Sequence, residues 1–279
     1  MHYIVKGGEA HTKHMEVVMK REPIISNYSS FDEDKRAFGT KAEQIEFIYT
    51  KKLLDQYIKP SMSVVELGCG TGYYGLYLSK MCRSYHGVDL TPKHIEQFQT
   101  KIDEQRLSNL SASVGDATYL PEIQDSAFDI VMTFGPMYHL PHEERLKVIL
   151  ESKRICKAGG LILFAYINKI GAYLRACIDE NMKLNYPNKK TNESVLMQGV
   201  DDVLPDVFFF TMPEEIEQDV AANGLTIVQN AGVDFTFNAG GINDMSDEKY
   251  AAWIEVLDYM FKSKSCTGVS NHAVLVCRK

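Results

Sequence analysis

Gly68, Gly70 and Gly72 stand at alternate positions directly after the apolar run Val64-Val65-Glu66-Leu67 and directly before a helix-like stretch that opens at Tyr73. A glycine has no Cβ, so each position lets the backbone press against a ligand or take a positive φ, and a strand feeding such a turn into a helix makes a cradle for a nucleotide. The spacing sorts the possible ligands. A dinucleotide fingerprint, G-x-G-x-x-G, needs its third glycine at position 73, where this chain has Tyr73, and no Gly-Lys-Ser/Thr sequence supplies a lysine for a β- or γ-phosphate. A pyrophosphate ligand is therefore disfavoured. Glu66, two positions before the first glycine, suits a ligand with a cationic end. The competing reading is a plain tight turn with no ligand.

Three further acidic or aromatic positions fall at the ends of short apolar runs: Asp89-Leu90 after Tyr85-His86-Gly87-Val88, Asp116-Ala117 after Val114-Gly115, and Phe134 after Phe128-Asp129-Ile130-Val131-Met132-Thr133. Taken singly, Asp89 reads as a cap for a helix starting near Pro92, and Asp116 as a turn aspartate bonded to its own backbone. Taken in order, with Lys157-Ala158-Gly159-Gly160 leading into a fifth apolar run, they lie where successive parallel strands end, and open α/β sheets bind ligands in the crevice outside those ends. The sequence Glu66-x-Gly68-x-Gly70-x-Gly72, with these landmarks behind it, resembles the class I S-adenosylmethionine-dependent methyltransferases. Phe134-Gly135-Pro136-Met137-Tyr138-His139-Leu140 is similar to the segment after the fourth strand in a group of bacterial small-molecule methyltransferases. The resemblance implies S-adenosylmethionine as cofactor and S-adenosylhomocysteine as product. It places Glu66, Gly68, Cys69, Gly70 and Gly72 in the cofactor loop and Asp89 with Leu90 at the ribose. Asp116 with Ala117 falls at the adenine, and Phe134 beside the cofactor. It also implies an N-terminal segment folded over the cofactor, with Tyr28 as a contact.

Methyl transfer is an in-line displacement at a carbon on a sulfonium, so alignment supplies most of the catalysis, on the order of 7 to 11 kcal/mol. A hydroxyl or protonated amine acceptor must also lose a proton. His139 is the candidate base, because histidine titrates near neutrality; the alternative is that it only lines the pocket, as Tyr138 is expected to do.

Composition limits the partners. The chain has 279 residues, 45% hydrophobic and 24% charged, with a net charge of −7. That charge gives no footprint for a phosphate backbone, so a nucleic-acid substrate is not expected. No apolar run approaches the roughly 18 residues of a membrane span, and the first residues lack a signal peptide's apolar core, so a cytoplasmic protein is expected. The six cysteines form no C-x-x-C pair and read as thiols. The pairs His11/His14 and His139/His142 have helix or turn spacing but no third ligand, and no metal is expected. Oligomeric state and the identity of the acceptor are not written in these features.

The elements alternate strand and helix from residue 41 to about 233, which predicts an α/β fold with a Rossmann-like, mostly parallel sheet. Helices are expected at Lys41–Ile58, Tyr73–Cys82, Pro92–Arg106 with Thr91 as N-cap, His142–Cys156 with a glycine stop at 159–160, and Pro213–Asn223. Strands are expected at Ser63–Gly68, to Leu90, Ala112–Ala117, Phe128–Phe134, Leu161–Ile167, Leu225–Val233 and His272–Arg278. By the resemblance, the last runs antiparallel between the fifth and sixth in a seven-stranded sheet. Residues 168–212 and 239–268 interrupt the rhythm and read as helical lid insertions into a core of residues 41–279, the second holding a helix at Asp247–Lys262. Residues 1–40, with a short helix around His14–Lys20 and a polar, turn-rich stretch at Ser26–Arg36, read as an N-terminal lid. Lid and insertions would enclose a pocket suited to a small acceptor. Two rival readings are a non-catalytic protein that binds the cofactor or scaffolds a partner, and an NAD-dependent oxidoreductase.

Overall fold

The computed structural model describes residues 21–29, 39–178 and 187–279. The helix around His14–Lys20, the His11/His14 pair and much of the Ser26–Arg36 stretch lie outside the described residues. Residues 21–29 are helical.

Helix α1 (Lys41–Tyr57) starts at a capping box: Glu43 N–H donates to the Thr40 hydroxyl, and the Glu43 carboxylate accepts from Thr40 N–H at 2.7 Å. Its residues Ile45, Tyr49 and Leu53 recur every fourth position and are fully buried. Strand β1 (Ser63–Leu67) is buried along its whole length, with Val64 facing one hydrophobic cluster and Val65 and Leu67 the other. That two-sided burial is the signature of a central parallel strand. The chain then runs through α2 (Tyr73–Leu78), β2 (Ser84–Asp89), α3 (Pro92–Gln105), β3 (Leu110–Val114), β4 (Phe128–Thr133), the one-turn α4 (Pro136–His139), α5 (His142–Ile155) and β5 (Cys156–Ile167). Beyond these come α6 (Lys169–Ile178), α7 (Pro213–Ala222), β6 (Thr226–Gly232), α8 (Ala239–Asn243), α9 (Asp247–Lys262) and β7 (His272–Arg278).

The seven strands order as β3-β2-β1-β4-β5-β7-β6, with β7 antiparallel to both neighbours and the remaining pairs parallel. This is the expected Rossmann-like sheet. The chain winds outward from β1 to β3, then returns to lay β4 on β1's other side, which opens a crevice at the carboxyl ends of β1 and β4. Because β7 runs the opposite way, it begins at the edge where β5 ends: His272 pairs with Ile167.

Several boundaries differ from expectation, each for a local reason. Helix α2 stops at Leu78 rather than Cys82, because the Ser79 hydroxyl donates back to Leu76 O at 2.8 Å and the Asn109 amide donates to Ser79 O and Cys82 O. Strand β3 ends at Val114, since the Asp116 carboxylate accepts from both the backbone N–H and the hydroxyl of Thr118 in an Asx turn. Helix α5 has no glycine stop. Its C-cap is Cys156, already extended at ψ 138°, and β5 starts there rather than at Leu161. The register jumps from Phe128↔Cys156 to Ile130↔Leu161, and Asp129 clamps this irregularity by accepting from Lys157 Nζ at 2.9 Å and Ser63 N–H at 2.8 Å. Thr91 does sit at the N-cap of α3, but its hydroxyl makes no cap bond; the Asp89 carboxylate accepts from Thr91 N–H instead.

The insertion after β5 folds back over the carboxyl edge. Ile167, Val195 and Phe210 form a small cluster that Tyr138 and Phe208 join, and Phe209 N–H donates to Tyr138 O at 2.9 Å. All six cysteines are thiols.

Candidate active site

The crevice holds a cavity of about 750 Å³, its open mouth included. Its floor is the glycine turn. All three glycines have positive φ, at 85°, 52° and 87°, a region that L side chains rarely adopt. Their jobs differ. A Cβ on Gly68 would lie 2.1 Å from Phe134 O, so this glycine lets the ends of β1 and β4 meet. One on Gly72 would fall 2.0 Å from the Phe98 ring, so Gly72 serves the core packing of α3 and does not line the cavity. Gly70 lines it directly. Cys69 is buried beside them; burial, with the Asp89 and Glu66 carboxyls nearby, pushes its thiol well above the ordinary range and makes it a poor nucleophile.

Asp89, at the end of β2, holds this turn in place. One carboxylate oxygen accepts from Gly70 N–H at 2.8 Å and the other from Thr91 N–H at 2.8 Å, with His94 Nδ1 at 3.3 Å from the latter. Leu90, Ala117, Leu140 and Ile24 give the same cavity apolar walls. Asp116 lies at the far side, its second oxygen taking Arg21 Nε at 2.9 Å, while Arg21 also donates to Glu144 at 2.6 Å. Arg21 is buried and belongs to the helical residues 21–29, which thereby close over the cavity. No sequence reading singled out Arg21 or Ile24, because the acids that hold Arg21 arrive from distant elements.

Tyr28, from the same segment, reaches the other predicted group. Its hydroxyl lies 2.8 Å from His139 Nε2, and His139 Nδ1 lies 2.8 Å from Val207 O in the insertion. A carbonyl accepts only, so Nδ1 carries the proton and the neutral ring's Nε2 accepts from Tyr28. His142 does not join it: His142 Nε2 pairs with Asp219 at 2.9 Å on an exposed surface.

Glu66 is fully buried and points away from this cavity, toward a second one of about 660 Å³ that includes open space. Burial pushes its carboxyl up to about 8; the Tyr85 hydroxyl donates to it and pulls the other way, and the nearby Asp89 charge pushes further up. The second cavity takes Glu46 and Thr50 from α1, Tyr73 and Tyr74 from α2, and His272 from β7. It shares Gly68, Gly70, Phe134 and Tyr138 with the first. Glu46 and His272 also escaped the sequence reading, since they come from opposite ends of the chain and belong to no motif.

Residues 64–160 match the family described as "Methyltransferase domain". The chain is 25% identical over 155 residues to the (+)-O-methylkolavelool synthase of Herpetosiphon aurantiacus, covering 54% of this chain and 52% of that protein. It is 25% identical over 173 residues to the ubiquinone biosynthesis O-methyltransferase of Coxiella burnetii, covering 62% and 67%. The chain thus spans about half to two thirds of these relatives' lengths. The solved S-adenosylmethionine-dependent methyltransferase of Aquifex aeolicus superposes over 91% of this chain and 97% of that one, with a TM-score of 0.52 at 15% identity, a likeness of fold. Residues 64–160, about a third of the chain, thus resemble a methyltransferase domain.

Proposed function

We propose that this protein transfers a methyl group from S-adenosylmethionine to a small-molecule acceptor. The observation that carries the reading is the meeting of two cavities at Gly68, Gly70, Phe134 and Tyr138, one with carboxylates at the ends of β2 and β3 between apolar walls, the other enclosed by α1, α2 and β7. The residues fit the cofactor. Gly70, bare at positive φ, allows close approach, Asp89 offers a carboxylate at ribose height, and Leu90 and Ala117 suit a flat purine with Asp116 at its rim. The acids Glu66, Asp89 and Asp116 complement a ligand that carries a sulfonium and an ammonium. When bound, the cofactor supplies an activated methyl group on a positively charged sulfur.

The chain's own residues do the rest. Asp89 holds the turn and the ribose, and Glu66 meets the cationic amino-acid end. Arg21, Ile24 and Tyr28 shut the cavity, so the described residues 21–29 act as a lid on a core of residues 41–279. His139 fastens that lid through Tyr28, a role that fits its two engaged nitrogens better than free proton abstraction does. Described parts of the insertions pack behind the second cavity's walls, the first on Tyr138 and the second on α1, and the enclosed space favours a small molecule over a macromolecule. Both relatives bear names of O-methylating enzymes, which supports an oxygen acceptor. Among the described residues no helix is long and apolar enough to cross a membrane.

Calorimetry with S-adenosylmethionine, S-adenosylhomocysteine and NAD tests the reading. We expect the first two to bind and NAD not to, and transfer of labelled methyl to a hydroxyl acceptor. Tight NAD binding, or cofactor binding without transfer to any acceptor, would turn the assignment toward an oxidoreductase or a non-catalytic binder.

A further inference from the structure

His272 and Asp234 sit side by side at the carboxyl edge of the sheet because the antiparallel β7 begins where β5 and β6 end. His272 is the first residue of β7 and Asp234 follows the last residues of β6. Asp234 is buried and held by three side-chain donors: the Thr236 hydroxyl bonds one oxygen, while the Asn271 amide at 3.0 Å and His272 Nδ1 at 2.8 Å bond the other. Glu46 from α1 lies 3.7 Å from the same Nδ1. Tyr138 meets the His272 ring edge-on at 6.0 Å, and His272 lines the second cavity whereas Asp234 does not.

We propose that His272, oriented by Asp234, takes the proton from a hydroxyl acceptor seated in the second cavity. This rests on the methyl-transfer reading and adds to it the base and the acceptor class. The Asp234 carboxylate accepts only, so it fixes the proton on Nδ1 and leaves Nε2 as the basic nitrogen, the arrangement by which a buried aspartate sets a histidine's tautomer. The acceptor oxygen forms the new O–C bond with a lone pair, the C–S bonding pair returns to sulfur as a neutral thioether, and the hydroxyl proton moves to His272 Nε2 and then to water. Asp234 is a positioning residue. Burial alone would raise its pKa, but the His272 hydrogen bond, the Arg175 charge and the Thr236 donor lower it, so Asp234 stays an acceptor across the neutral range. Besides Asp234, the groups facing His272 among the described residues include Glu46 from α1, Tyr138 from α4, Asn271 in its own chain segment, and Glu66 across the cavity.

The Glu46–Asp234–His272 grouping also has the donor types of a divalent-cation site. Against that use, Asp234's oxygens are already committed to three donors and Arg175 adds positive charge.

Four measurements decide. Calorimetry with S-adenosylhomocysteine on wild type and His272→Gln should show equal affinity; no binding to wild type would sink the methyl-transfer reading itself, not the dyad. Nitrogen NMR of the unliganded protein should show His272 with a proton on Nδ1 and none on Nε2 at pH 8, and Asp234→Asn should disturb that tautomer; a wild-type Nε2–H tautomer overturns the proposal. Turnover is compared on 4-methylphenol, a primary alcohol and 4-nitrothiophenol, the last already ionised at neutral pH. His272→Gln should lower the phenol rate by roughly 10²- to 10⁴-fold and remove its rise with pH, yet leave the thiolate rate within a few-fold. Equal losses on all acceptors, no loss, or cofactor binding with no transfer to any hydroxyl overturns it. Finally, activity should survive EDTA; loss restored by Mg²⁺ would make the triad a metal site and overturn the base assignment.

Discussion

The two halves of the sheet's carboxyl edge were built in different ways. On the cofactor side, from β1 to β4, the four groups expected at the cofactor each sit on a strand or within three residues of its end and follow a short apolar run: Gly70 after β1, Asp89 on β2, Asp116 after β3, Phe134 after β4. On the acceptor side the groups come from α1, the turn after β1, α2, α4, β5 and the antiparallel β7, and Glu46, Tyr138 and His272 lie far apart in the chain. The first side is specified by local sequence and the second by topology. A ligand common to a whole family can be held by a local device, whereas an acceptor particular to one protein is met by whatever the variable segments bring together.

The largest effects should come from separating two glycines that look alike in the sequence. Gly70→Val should abolish cofactor binding, because the new side chain enters the space where both cavities meet, while the fold survives. Gly72→Val should do the reverse: its side chain is driven into the Phe98 ring from a positive φ, costing about 1 to 3 kcal/mol in overpacking plus about 1 to 2 kcal/mol in backbone strain. Urea denaturation and calorimetry on both variants make the check. A stable Gly72→Val protein that fails to bind would mean that both glycines serve the ligand and that the turn is not divided as its contacts imply.

Asp89 is next, since it serves both structure and ligand. Asp89→Asn keeps an acceptor but loses the charge and one of its two backbone bonds, so we expect affinity for S-adenosylhomocysteine to fall by about 1.5 to 3 kcal/mol with a smaller loss of stability. Asp89→Ala should cost stability too, as the N–H groups of Gly70 and Thr91 both lose their acceptor. Unchanged affinity in Asp89→Asn would remove Asp89 from the ribose site and leave it as a fastener of the turn.

The same contrast explains what could be read in advance. The strand ends of the cofactor side and the helix Asp247–Lys262 were legible because each is signalled within a few residues, by apolar run, turn or periodicity, whereas the antiparallel direction of the last strand followed from the resemblance alone. Helix α2's early stop was not, because it depends on Asn109 reaching back to Ser79 and Cys82. Nor was the start of β5, set by Asp129 clamping Lys157 and Ser63. Arg21, Glu46 and His272 were invisible for the same reason. Each becomes a site residue only through partners that the fold supplies. His139 was legible as a cavity residue, but its role rests on Tyr28 and Val207, which no spacing connects to it.

Glu66 sits on the border between the two sides, and its titration sharpens the comparison. Its pKa in the fold, about 8, is raised by burial above the ordinary carboxyl value of 4.5. Its proton therefore contributes stability that is fully present below the ordinary value and is lost as pH rises through about 8. Glu66→Gln keeps an acceptor for the Tyr85 hydroxyl without the titration, so the wild type should lose stability relative to this variant between roughly pH 5 and pH 8. If Glu66 also meets the cofactor's ammonium, binding should pull its pKa down and release a proton near pH 7. Calorimetry in buffers of different ionisation enthalpy would detect that proton. A release that persists in Glu66→Gln would assign it to another group.

The smallest effect belongs to the contact that ties lid to acceptor side. Tyr28 donates to His139 Nε2, and His139 in turn donates from Nδ1 to Val207 in the insertion, so one ring links the segment over the cofactor to the insertion after β5. Tyr28→Phe removes the hydroxyl and keeps the ring, which also packs edge-on against His139 at 5.1 Å. A neutral hydrogen bond of this kind is worth about 0.5 to 1.5 kcal/mol, so affinity for S-adenosylhomocysteine should weaken by roughly 2- to 12-fold through faster release. His139→Asn should weaken it to a similar degree and leave the pH dependence of turnover intact, because in this arrangement the ring fastens the lid and His272 handles the proton. Turnover that falls by roughly 10²-fold or more in His139→Asn while affinity holds would reverse those two assignments, since a drop of that size belongs to a proton-transfer group.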